Sequence, residues 1–307
     1  MGLFELFRRP ANESKTDRGS QVYQAQEAGL QLPTETNNSP EPSFANCPDI
    51  LTAKLFFESA PNVNGLEILN DLRKKHTDAT IDKVNNILVF SLPCNNAATH
   101  ATAKLCILVS GNMEIQPLPN EAFRQNWHWR EAASKIRFCK YEILITEKSL
   151  PNVAYKQRVT VFSDFLTSVI KSVKPSVVYS KNAEKLLDPE DVIACNFGTE
   201  ADMLHPISNI RMFKISDSAE GTLLMDTIGM NALGLPDIEI VFNDRNPAKM
   251  GELLLRYSNF IFDIGDNIRD GEYLEGTTPT ERWRCEKRNS MLLPDRYVLH
   301  LAPDAEN

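Results

Sequence analysis

Residues 221–243 read GTLLMDTIGMNALGLPDIEIVFN, and the alternation inside this stretch decides the fold. Ile238, Ile240 and Phe242 point to one side of a strand, and Asp237, Glu239 and Val241 to the other, because strand side chains alternate. Pro236 fits only at the start of that strand, since a proline within a ladder lacks a donor. The preceding run sets Leu223, Met225 and Thr227 on one face and Leu224, Asp226 and Ile228 on the other. Gly229 and Gly234 bracket the connection, where a positive φ or a close backbone approach calls for glycine. The unit is two strands joined by a short link. One position breaks the pattern: Asp226 stands in an otherwise apolar run.

Upstream, LTAKLFFES (51–59) reads as a strand, and Asn62 or Asn64 opens a helix carrying Val63, Leu66, Leu69 and Leu72. NNILVFSLP (85–93) is a strand stopped by Pro93; KLCILVS (104–110) and MEIQPL (113–118) read as strands around a tight turn at Gly111 and Asn112. Asn120 caps a helical segment containing Trp127 and Trp129, which are two apart and cannot share one helix face. KYEILITEK (140–148) is a strand, followed by a long helix from Asn152 to Val173 with Phe162, Phe165, Leu166, Val169, Ile170 and Val173 as its buried stripe. SVVYS (176–180) reads as a strand covered on both faces, and Asp188 with Pro189 as a helix start. ISNIRMFKIS (207–216) leads into the central unit. Beyond it, Asn246 and Pro247 open a helix, and WRCEK (283–287) and RYVLHL (296–301) are short strands.

The fold class is therefore α/β (α+β), a mixed, largely antiparallel sheet flanked by helices. Residues 49–304 are expected to form one domain with two loosely similar halves, 49–135 and 136–304. Residues 1–48 read as a flexible tail, poor in large apolar residues after an amphipathic start, MGLFELFRR. That start is expected to make weak contact with a membrane or partner, and no run is long enough to cross a bilayer.

With 307 residues, 42% hydrophobic, the chain can bury a sizeable core. A formal net charge of -8 argues against a general nucleic-acid or anionic-membrane binder. The six cysteines form no C-x-x-C pair and no secretory leader is apparent, so free thiols in a reducing cytoplasm are expected. Neither a dinucleotide fingerprint nor a P-loop occurs, so no cofactor is expected. DNIRDGEYLEGT (266–277) imitates a calcium loop, but Ile268 and Thr277 occupy ligand positions. His128 with Glu131 is half of a zinc motif, so no metal site is expected either.

An unpaired buried carboxylate costs several kcal/mol, so Asp226 must be neutralised, paired or at a cleft. If it lines a cleft, Trp127 or Trp129 would be the walls of a ligand site with Asp226 as the polar anchor. Asp237 and Glu239 are expected on a solvated face.

WHWREAASKI (127–136), SVVYSKNAEKLL (176–187) and MDTIGMNALGLPDIEIVF (225–242) together resemble the bacterial domain-of-unknown-function family 4261, over residues 53–276. The resemblance implies a compact bacterial cytoplasmic α/β domain and carries no catalytic residue onto Asp226, Trp127 or Glu239. The expected function is a non-enzymatic protein-binding module, in one version an immunity protein against a basic toxin. The competing expectation is a small-molecule or hydrolase-like site near Asp226, Trp127 and Trp129. A third is a homodimer paired through a sheet edge.

Overall fold

Two sheets, not one, carry the fold. The computed structural model describes residues 46–95, 100–108, 115–148, 153–195, 203–216 and 218–303. The first sheet is built from β1 (Thr52–Phe57), β2 (Thr80–Val84), β3 (Ile87–Asn95), β4 (His100–Leu108), β5 (Tyr141–Glu147), β6 (Val177–Ser180) and β7 (Lys185–Leu187). Its order is β2-β3-β4-β5-β1-β6-β7, and every neighbouring pair is antiparallel. The second sheet takes β8 (Asn209–Lys214), β9 (Leu223–Ile228), β10 (Asp237–Phe242), β11 (Tyr273–Glu275), β12 (Arg282–Asn289) and β13 (Tyr297–Pro303). Its order is β11-β12-β13-β10-β9-β8, with one parallel pair, β10 with β13.

The mixed α/β character and the antiparallel excess are as the alternation indicates, but the single sheet is not. The expected division at 135–136 falls inside the first sheet, between the paired strands β4 and β5. The two sheets separate instead over residues 188–208.

Helix α1 (Gly65–Leu72) and helix α4 (Tyr155–Val173) cover one face of the first sheet, and α6 (Pro247–Ile264) covers the face of the second that carries Ile238 and Ile240. The short helices α2 (Asn120–Arg124) and α3 (Ala132–Ile136) lie over β6 and β7, and α5 (Pro189–Ala194) follows β7. Asn64 caps α1, as expected, through bonds from Leu66 N and Glu67 N. Leu66 itself is exposed, and Ile68 takes its place in the buried stripe with Leu69 and Leu72. All six residues of the stripe expected on α4 are buried.

Several sequence expectations fail locally. Asn120 is the first residue of α2 and not its cap, a position taken by Pro119. Pro93 does not stop β3; β2 pairs with β3 only as far as Ser91, so beyond it a missing donor is tolerated. Asn85 begins the turn between β2 and β3, at φ 54, and not the strand. Ile115 to Leu118 form no strand, and β4 pairs with β3 and β5. The turn at Gly111 and Asn112 and the amphipathic start lie outside the described residues. Asn46 to Pro48, read as tail, belong to the folded body: the Asn46 side chain donates to Leu235 O at 2.8 Å and accepts from Tyr297 N at 2.9 Å.

One apolar core runs through both sheets, from Leu55 and Phe165 to Ile240 and Phe262. The seam between them is fastened by Arg158 of α4. Its guanidinium pairs with Glu147 of β5 at 2.9 Å and donates to Ala232 O at 3.2 Å and to Asp49 O. Ala232 lies in the 3-10 turn Met230–Leu233 that joins β9 to β10. The glycines around that turn answer to contact as well as conformation. Gly229, at φ 124, would place a Cβ 2.0 Å from Ile207 O; Gly234, at φ 82, would place one 2.9 Å from Pro48 Cγ.

Candidate functional site

The second face of the second sheet, opposite α6, carries a row of ionisable side chains. Register sets Arg211 of β8 opposite Asp226 of β9, Asp226 opposite Glu239 of β10, and Glu239 opposite His300 of β13. Cross-strand partners share a face, so four ionisable groups line up across four strands. Two neighbouring carboxylates would repel each other. Three arginines keep them apart in effect.

Asp226 accepts from Arg211 Nε at 3.0 Å and Nη2 at 2.6 Å, a two-pronged clamp, and from Arg296 Nη2 at 2.5 Å. Asp237 accepts from Arg296 Nε at 3.1 Å, from Thr227 Oγ1 at 3.1 Å and from Met230 N at 3.1 Å. Glu239 accepts from Arg288 Nη2 at 2.7 Å and from Met291 N at 2.9 Å. Asp226, Asp237 and Glu239 are each 0% exposed. The solvated face expected for Asp237 and Glu239 is therefore wrong. Residues 290–296 and the β6–β7 turn, through Glu184, lie over that face.

Burial and partners pull these groups in different directions. For Glu239 burial pushes the carboxyl up, but hydrogen bonds with His300, Arg288 and the Met291 N–H outweigh it and hold the carboxyl below its ordinary value. For Asp237 burial wins over Arg296 and the Met230 N–H, and its carboxyl is raised. Burial likewise raises Glu184, against the Arg211 charge. His300 Nδ1 is 3.5 Å from Glu239 and 2.8 Å from Arg288 Nη2. That nitrogen donates to the carboxylate where it carries a proton and accepts from the guanidinium in the other tautomer.

The arginines reach past the carboxylates to the backbone above. Arg211 Nη1 donates to Leu293 O at 3.1 Å; Arg296 Nη1 donates to Leu292 O at 3.2 Å and Pro294 O at 3.0 Å. A general acid or base must reach a substrate proton. Here the carboxylates are enclosed and bonded to arginines and backbone N–H groups. Among the described residues no group of three or more His, Cys, Asp or Glu side chains is placed to hold a metal ion. All six cysteines are free.

The three residues singled out from the sequence share no hydrogen-bond or ion-pair partner among the described residues. Asp226 is held by Arg211 and Arg296 within the second sheet. Trp129 is buried with Phe56, Val177, Tyr179 and Leu186 against the other face of the first sheet. Trp127 is 44% exposed, and its Nε1 donates to Gln125 Oε1 at 3.1 Å. Gln125 in turn bonds both backbone groups of Met212, at 3.0 Å to the N–H and 3.1 Å to the carbonyl, and so occupies the open edge of β8. Both indoles lie between α2 and α3, and not in the helical segment expected to contain them. Arg211, Arg288, Arg296 and His300 were not identified from sequence. The signal for Arg211 was present: it shares a face with Asn209 and Phe213, opposite Ile210 and Met212, in a strand that abuts the one holding Asp226.

Among the described residues no helix is long and apolar enough to cross a membrane. A family model described as Domain of unknown function (DUF4261) matches residues 226–302, the segment from Asp226 through β13. No curated protein and no solved structure matches the chain.

Proposed function

We propose that this DUF4261 chain works by binding another protein and not by turning over a substrate. The observation that supports this reading is the closure of Asp226: fully buried, clamped by two guanidiniums, and sharing no hydrogen-bond or ion-pair partner with Trp127 or Trp129 among the described residues. A carboxylate so held serves architecture, and the same closure disfavours the small-molecule reading. The net charge of -8 suits a basic partner, in the concrete version a toxin neutralised in a bacterial cytoplasm, where the six cysteines stay reduced.

The test is affinity capture with the purified full chain from its own and neighbouring cells, at low and moderate salt, beside a turnover screen over common metabolites. One specific protein retained in near-equal amount, and released as salt rises, is the expected result. Turnover of any metabolite that tracks the folded chain through purification sinks the reading.

A further inference from the structure

We propose that residues 290–296 form the partner-binding element, a preorganised loop whose Leu293 tip enters an apolar pocket with a basic rim on another protein. Leu293 is 75% exposed, the most open of the exposed large hydrophobic residues among the described residues, and Pro294 and Asp295 beside it are exposed too. An apolar side chain so placed is ordinarily mobile, and ordering it would weaken binding. Here the backbone beneath it is tied down at successive positions. Met291 N donates to Glu239, Leu292 O accepts from Arg296 and Ser290 Oγ, Leu293 O accepts from Arg211, and Pro294 O accepts from Arg296. Ser290 N closes the base on Arg296 O at 2.8 Å.

The buried carboxylates thus act through the arginines: Asp226 aims Arg211 and Arg296, which in turn hold the loop carbonyls. These are positioning residues for a contact they do not touch. The partner's chemistry follows from the tip. Leu293 and Pro294 ask for an apolar pocket, while Asp295, with no hydrogen bond or ion pair among the described residues, asks for a cation at its rim.

This inference rests on the protein-binding reading, and the test separates the two. A photo-crosslinking amino acid is placed at position 293 of the full chain in its native cells, and in parallel at the comparably exposed Leu66 and Phe138. The expected result is one discrete adduct with another protein, at least about tenfold stronger from position 293 than from either control. Ser290→Ala, which loosens the loop without touching the carboxylates, is expected to lower that adduct about threefold and to speed amide exchange at Met291. Adducts of equal strength at all three positions, or only at the controls, overturn the loop while leaving protein binding standing. An adduct with a second copy of this chain overturns the partner. Absence of adducts at every position overturns the loop, and the affinity capture then decides protein binding.

Discussion

Arg211 and Asp226 face each other across the β8–β9 ladder, and the guanidinium holds the carboxylate with two nitrogens at 3.0 and 2.6 Å. Removing either partner strands a buried charge. Asp226→Ala is expected to lower unfolding free energy by about 3–5 kcal/mol, measured by urea denaturation. The double change Asp226→Leu with Arg211→Met should lose less than the sum of the singles, because it leaves no such pair to satisfy. A cost for Asp226→Ala below about 1 kcal/mol would show that the clamp contributes little.

Gly229 and Gly234 are not equivalent. A methyl at Gly229 meets the backbone oxygen of Ile207, which cannot move without opening the seam; at Gly234 it meets the ring of Pro48, at the first described turn of chain. Both sit at positive φ, so each alanine carries about 1–3 kcal/mol of strain. Gly229→Ala should exceed that range and Gly234→Ala should fall within it. Equal melting temperatures for the two variants would contradict this ordering.

Acid should weaken the fold before the carboxylates titrate. Burial, helped by the Lys185 charge, pushes His128 down to about 3 and His205 down to about 2. Unfolded imidazoles titrate near 6.5, so below that pH the unfolded chain binds more protons than the folded one. The stability from the two neutral rings is complete above that value and falls as pH falls toward the folded values. The slope is about 1.4 kcal/mol per pH unit for each ring. The urea midpoint of the parent chain should drop between pH 7 and pH 5, and the double variant His128→Gln, His205→Gln should show a flatter profile.

Arg158 ties α4 to the 3-10 turn of the second sheet and to Asp49. Arg158→Met leaves Glu147 buried without this guanidinium and frees two carbonyls, a loss of about 3–5 kcal/mol. Asn46→Ala removes bonds to Leu235 O, Tyr297 O and Tyr297 N and should lose about 1–3 kcal/mol. Thermal melts of both variants, with limited proteolysis near Pro48, would reveal an Asn46 that matters less than its bonds suggest.

Gln125 completes the edge of β8 as a neighbouring strand would, through the N–H and carbonyl of Met212. Exposed pairing edges invite association. Gln125→Ala should therefore self-associate as concentration rises, and Gln125→Asn, too short to span both groups, should behave similarly. Light scattering that finds both variants monomeric would assign the edge protection elsewhere.

Much of the fold is legible in the chain. The alternation in 221–243 locates β9 and β10 and the side each residue takes, because period two is a local property of extended backbone. The stripe on α4 and the caps at Asn64, Asp188 and Asn246 are local for the same reason. β2 was missed because TIDKV is an exposed edge strand with no apolar face to mark it, and β7 because three residues are too few to show a period. The segment 226–302 also carries enough pattern to match the DUF4261 family model.

What local pattern could not settle is which strands share a sheet and what lies over each face. Alternation says that Asp237 and Glu239 share a side of one strand; it does not say that Asp226 of the next strand shares it, or that residues 290–296 and Glu184 close over them. Arg296 lies 70 residues beyond Asp226, and Asn46 lies 251 before Tyr297, so their bonds exist only after the chain has folded back. Period and capping depend on neighbours in sequence, which fixes the elements. Burial of charge depends on neighbours in space, so the closed carboxylate row and the exposed loop above it were decided by tertiary packing alone.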